Sequence, residues 1–175
     1  VLFKDAITHA CIVHRILNQP RGNALLVGVG GSGRGSITKL AAFMAGCKVF
    51  QIEVRKGFKD TDFRDKLKDL YRIAGIEEKP TVFLLYDTQI LNESFVEDIC
   101  NIMSRGEIPN LYTPDELAAI RDAMRLKESD SRETKTDNFY ERFIEKAWNN
   151  IHVVLCMSPV GDSFRNRCRM YPALV

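Results

Sequence analysis

Three features of these 175 residues predict an α/β fold, with a parallel sheet covered by helices on both faces. Runs of strand length alternate with longer stretches whose apolar residues recur every three or four positions. Two of the runs, TVFLLYD (Thr81 to Asp87) and IHVVLCM (Ile151 to Met157), are apolar nearly throughout, as a strand covered on both faces must be. A glycine-rich turn, GVGGSGRGS at 28–36, joins a third run directly to a helical stripe. The length suits one domain with a real core, and a chain 45% hydrophobic and 27% charged is neither disordered nor membrane-spanning in composition. No apolar run approaches the roughly 18 residues of a spanning helix, and VLFKDAITHA lacks the basic and apolar regions of a signal peptide. A net charge of +2 points to neither a nucleic-acid nor a membrane partner.

Taken in order, Phe3 to Leu17 reads as a helix through Phe3, Ile7, Ala10, Cys11 and Ile16, ended by Pro20 and Gly22. Ala24 to Val27 is a short strand that runs into the glycines. Ile37, Leu40, Ala41 and Met44 then form a helix stripe that stops at Gly46. Lys48 to Val54 alternates as a half-buried strand. Thr61 is the expected cap of a helix carrying Phe63, Leu67, Leu70 and Ala74, with Gly75 closing it. After the Thr81 strand, Asn92 opens a helix with Phe95, Val96, Ile99 and Met103 on one side, ending at Gly106. Thr113, Pro114 and Glu116 spell a capping box ahead of LAAIRDAM. Lys127 to Asn138 contains no apolar residue and reads as a solvated loop or insertion. Phe139, Phe143, Ile144, Ala147 and Trp148 mark a further helix, and DSFRNRCRM a short basic one after the Ile151 strand.

Five widely spaced cysteines, Cys11, Cys47, Cys100, Cys156 and Cys168, form no CxxC pair and read as reduced, buried, cytosolic thiols. His9, His14 and His152 lack metal-ligand spacing and are assigned to packing.

Chemistry concentrates at the glycine turn, where two templates fit. GxGxxG is met by Gly28, Gly30 and Gly33, with Glu53 placed to hold a ribose, the pattern of a dinucleotide-dependent oxidoreductase. GxxxxGK[ST] is met at Gly28 and Gly33, but Arg34 replaces the lysine and Gly35 the magnesium-holding hydroxyl. Both rest on backbone N–H groups and a helix N-terminus converging on phosphate. The triphosphate reading also requires a carboxylate at the end of a neighbouring buried strand, which Asp87 supplies, and usually a second acid to activate water. Thr88 stands there instead, and losing a general base costs about 10²–10⁴-fold in rate.

The runs VLFKDAITHA, QPRGNALLVGVGGSGR, FLLYDTQILNESF, GEIPNLY and HVVLCMSPVGDSFRNRCRMYPALV resemble the fourth AAA+ module of a dynein heavy chain, of axonemal type, over essentially the whole chain. The resemblance implies a P-loop NTPase fold, the AAA+ large subdomain, occupying residues 1–175 as a partial module without its last strand and helical lid. It implies a loop of Gly28, Val29, Gly30, Gly31, Ser32, Gly33, Arg34, Gly35 and Ser36 that binds ATP or ADP, with Asp87 as Walker B aspartate and weak magnesium ligand. Thr88 falls in place of the catalytic glutamate, Ser158 at the sensor I position, and Arg169 at the finger that reaches the neighbouring module, with Arg165 and Arg167 as alternatives. Val1, Leu2 and Phe3 fall where such modules contact adenine.

The implied partners are neighbouring AAA+ modules of the same heavy chain, a microtubule through a stalk outside this segment, and dynein intermediate and light chains. The implied location is the cytoplasm and cytoskeleton, in the axoneme of a cilium or flagellum. Against the family pattern, Arg34 keeps the charge but changes its geometry, Gly35 removes the hydroxyl, and Ser36 lies about 100° further round the helix. The expectation is therefore a regulatory module that binds nucleotide and hydrolyses it poorly. A nucleotide-free structural ring element and the oxidoreductase remain as alternatives. Without its last strand the sheet is expected to expose an edge and to be marginally stable or self-associating in isolation.

Overall fold

The computed structural model describes residues 3–128, 138–160 and 162–174. Four strands, β1 (Ala24–Val27), β2 (Lys48–Phe50), β3 (Thr81–Tyr86) and β4 (Ile151–Met157), form one sheet in the order β1-β4-β3-β2, every pair parallel. The helices are α1 (Lys4–Leu17), α2 (Arg34–Met44), α3 (Asp60–Tyr71), α4 (Glu93–Arg105), α5 (Pro114–Glu128), α6 (Phe139–Asn150) and α7 (Asp162–Met170).

The period of two in a strand splits the core cleanly. Val82, Leu84, Val154 and Cys156 point to one face, where Val13 and Leu17 of α1 and Ala41 and Ala42 of α2 cover them. Phe83, Leu85, Val153, Leu155 and Met157 point to the other and meet Phe63, Leu67, Phe95, Ile99 and Phe143 from α3, α4 and α6. Both faces are covered by helices, which is why β3 and β4 read as continuous apolar runs. Parallel strands end together, so the loops after β1, β3 and β4 gather at one rim.

Several local expectations need correction. The strand expected over 48–54 stops at Phe50 because the amide of Gln89 takes over the edge: its Oε1 accepts the Tyr86 N–H at 2.8 Å and its Nε2 donates to the Ile52 carbonyl. Thr61 is not a cap, since α3 begins at Asp60 and the carboxylate of Asp62 reaches back to the Lys59 N–H at 2.8 Å. Gly75 does not end that helix; it lies buried in a wide π-helical turn, Arg72–Ile76, where a Cβ would stand 2.6 Å from the Phe143 ring. Asn92 occupies the cap position of α4, but its amide donates to Asp60. Lys127 belongs to α5 rather than to a loop, and its ammonium donates to the Ile76 carbonyl. The rest of the polar stretch, 129–137, lies outside the described residues.

Gly106 and the Thr113 capping box follow the sequence reading. Gly106 ends α4 with φ of 70°, and Thr113 N–H donates to Glu116 Oε2 at 2.8 Å. Among the thiols, Cys156 is buried, but Cys11 is exposed on α1, against expectation.

Candidate functional site

Main-chain conformation builds the glycine turn. Gly28 N–H donates to the Met157 carbonyl at 3.1 Å, anchoring the turn to β4, and Ser32 N–H closes on the Val29 carbonyl at 3.2 Å. Gly31 and Gly33 have φ of 78° and 80°, values that make a side chain costly, and Gly33 is the residue before the first turn of α2. The first intrahelical bond is Ile37 N–H to the Gly33 carbonyl at 2.9 Å. Helix geometry therefore leaves the N–H groups of Arg34, Gly35 and Ser36 without carbonyl partners inside the helix. A Cβ built on Gly30, Gly31 or Gly33 would meet nothing within 4 Å, so the concave side of the turn is open. Such a nest of N–H groups at a helix N-terminus accepts an anion.

Arg34 sharpens that conclusion. Its Cδ comes within 3.5 Å of a Cβ built on Gly28, and its Nη1 is buried with no hydrogen-bond partner among the described residues. A buried, unpartnered guanidinium nitrogen is costly unless an anion satisfies it. Beside it, a pocket of about 570 Å³ runs between α1 and the outer edge of β1, lined by His9, Ile12 and Ile16 as well as Gly28, Ser32 and Arg34. Phe3, at the start of α1, is exposed; Val1 and Leu2 lie outside the described residues.

Asp87 directly follows β3, and both of its carboxylate oxygens accept from main chain. Oδ1 accepts Thr88 N–H at 2.9 Å, and Oδ2 accepts Ser158 N–H at 2.8 Å, locking the ends of β3 and β4 together. The Ser158 hydroxyl accepts the Val160 N–H at 3.3 Å, and Thr88 is exposed. Arg165 and Arg169 are exposed on α7, whereas Arg167 is half-buried and pairs with Glu93 at 3.4 Å.

At Gly35 the structure shows what the sequence could not. A Cβ there would stand 1.8 Å from the Tyr86 hydroxyl oxygen, so the space of the missing helix-borne side chain is already filled from β3. Burial pushes the Tyr86 phenol above its usual range, with the Cys156 thiol adding to this and Arg34 and Gln51 opposing it, so it remains a neutral hydrogen-bond donor. Magnesium demands compact oxygen ligands in near-octahedral array. A glycine in place of the hydroxyl and a tyrosine crowding that position do not fit it.

Strand order disposes of the dinucleotide template. β4 and β3 lie between β1 and β2, which puts the end of β2 roughly 14 Å from the glycine strand at about 4.8 Å per step. Glu53 is four-fifths exposed and paired with Arg55 at 2.9 Å, far from any ribose that the loop could hold.

A glycine turn between a strand and a helix, an acid closing a second strand, and a third strand inserted between those two define a P-loop nucleotide-binding module. The chain belongs to the family described as P-loop containing dynein motor region D4, whose model matches residues 1–175. It is 55% identical over 177 residues to the dynein-1-beta heavy chain of the flagellar inner arm I1 complex of Chlamydomonas reinhardtii. It is 50% identical to the human dynein axonemal heavy chains 6 and 2. Each match covers all of this chain and 4% of the relative.

Proposed function

We propose that this module binds an adenine nucleotide, ATP or ADP, on the Gly28–Ser36 loop, turns it over slowly or not at all, and acts as a regulatory member of an axonemal dynein ring. The observation that carries the binding half is the buried, unpartnered Nη1 of Arg34 beside an open nest of N–H groups. These supply the charge and donors that a polyphosphate needs, and the pocket along α1 and β1 has the volume of a ligand site and an apolar wall for the base.

Weak turnover follows from the other side of the loop. Thr88 cannot accept a proton from water at neutral pH, and Asp87 is held in place by the N–H groups of Ser158 and of its own turn. What the residues do is bind and brace: the loop takes phosphate, and Asp87 links the loops after β3 and β4 so that occupancy of one is felt by the other. Arg169, exposed on α7 and unlike Arg167 free of an ion pair with Glu93, is the better candidate to reach a neighbouring module's nucleotide, with Arg165 one turn away. The names of the relatives support placement in a flagellar or ciliary axoneme, with the other modules of the same heavy chain as immediate partners. Through them the module would bias a microtubule motor that also carries intermediate and light chains.

The test is nucleotide occupancy and turnover in the complete heavy chain with the principal hydrolytic module disabled. Bound adenine nucleotide at this loop with negligible turnover is expected, and Thr88→Glu should raise turnover by less than about 10-fold, because a new base still lacks the metal-holding hydroxyl that Gly35 removes. Brisk native turnover at this loop, or no nucleotide in it at millimolar ADP and ATP, refutes the reading.

A further inference from the structure

Gly35 and Tyr86 form a matched pair across two elements. The first turn of α2 has lost its side chain at the one position where the phenol oxygen of β3 comes in, 1.8 Å from where a Cβ would be and with ring carbons at 2.9 and 3.3 Å. Any side chain at 35 collides with that ring, and any shorter residue at 86 leaves a hole under the loop. The phenol is thus an oxygen donor delivered to the first turn of α2 from the strand that also carries Asp87. It sits near Arg34, whose charge acts on it.

We propose that Tyr86 is a phosphate-binding residue and that this module takes its nucleotide without a divalent cation, the Tyr86 hydroxyl and the Arg34 guanidinium standing where other loops use a hydroxyl-held metal. The proposal rests on the nucleotide-binding reading above. A neutral phenol is a poor ligand for magnesium but a good donor to an anionic oxygen, and a guanidinium supplies positive charge that needs no coordination geometry. The helix N-terminus adds its partial charge. Together these groups can neutralise a diphosphate in part while leaving Asp87 bonded to Thr88 and Ser158, with no carboxylate recruited to hold an ion.

The test is photolabelling of the complete heavy chain with 8-azido-ADP, in excess magnesium or in excess EDTA, with label quantified on peptides from residues 1–175 alone. The half-saturating concentration at this module is expected to differ by less than about threefold between the two conditions. Tyr86→Phe, which keeps the ring, should raise it about 10-fold in both, the value of one hydrogen bond to a charged group. Gly35→Ser alone should abolish labelling, and Gly35→Ser with Tyr86→Ala should restore it in a form that EDTA suppresses. Native labelling weakened threefold or more by EDTA, or an unchanged half-saturation in Tyr86→Phe, overturns the proposal while leaving nucleotide binding intact. Absence of label in both conditions removes the binding reading itself.

Discussion

A buried guanidinium nitrogen without an acceptor costs about 1–3 kcal/mol, and Nη1 of Arg34 is in that state beside the loop. Replacing it with an apolar side chain of similar length should therefore stabilise the empty module and destroy its ligand response. In hydrogen-exchange measurements on the full heavy chain, Arg34→Met is expected to slow exchange in β1 and α2 without nucleotide, and to abolish any further protection by ADP. Slower exchange in the native protein than in the variant, both without ligand, would show that the guanidinium has a partner after all. Asp87 and Thr88 were legible from the letters, because an acid closing the most apolar strand has few other uses and its neighbour's lack of acidity is explicit. Tyr86 was not. Its letter reads as one more apolar position of a buried strand, and the nearest sequence signal was indirect: a glycine at 35, where a hydroxyl is expected, implies that something else occupies the space.

At the scale of elements, two glycines mark where helices press against each other, and one of the two also ends a helix. Gly75, inside the widened turn after α3, faces the Phe143 ring of α6 at 2.6 Å and Ala147 at 3.2 Å from a built Cβ. Gly106 combines a φ of 70° with Trp148 at 2.5 Å, and its carbonyl accepts the Tyr71 hydroxyl at 2.6 Å. Gly75→Ala should cost about 1–3 kcal/mol through overpacking alone. Gly106→Ala adds backbone strain and should cost more than about 2 kcal/mol. Module-resolved unfolding by denaturant checks the order, and a Gly75→Ala module as stable as the native one would mean that α6 yields freely. Helix boundaries and caps at Thr113 and Gly106 were readable because they depend on neighbours in sequence. The end of β2 and the role of Gly75 were not, because Gln89 and Phe143 act across 37 and 68 residues of chain.

For the whole molecule, β4 sits between β1 and β3 and carries His152 into the core, 3% exposed, with Nδ1 2.9 Å from the Gly22 carbonyl. Burial lowers its pKa below the usual 6.5, while the bond to Gly22 opposes the shift. The folded state then binds fewer protons than the unfolded chain. Stability from this group is complete above about pH 6.5 and falls as pH drops from there toward the lowered folded value, at up to about 1.36 kcal/mol per pH unit. Unfolding of the module between pH 7.5 and 5 should show that decline, and His152→Gln should remove its share. An identical decline in the variant would assign the effect to other groups.

Period and punctuation in the sequence were enough for the α/β class, the two buried strands, the glycine loop and the acid that follows one of those strands, because each depends on local sterics or on the cost of burying charge along one strand. The family, too, was legible, since several long strings recur in one order. Only the tertiary structure decided the order of strands, which removed Glu53 from the loop. It alone decided that Asp87 is tied down by Ser158 and that Tyr86 fills the void at Gly35. Those are contacts between residues 51 to 71 positions apart in the chain, set by how parallel strands stack side by side, and no periodicity within a strand specifies which neighbour it will have.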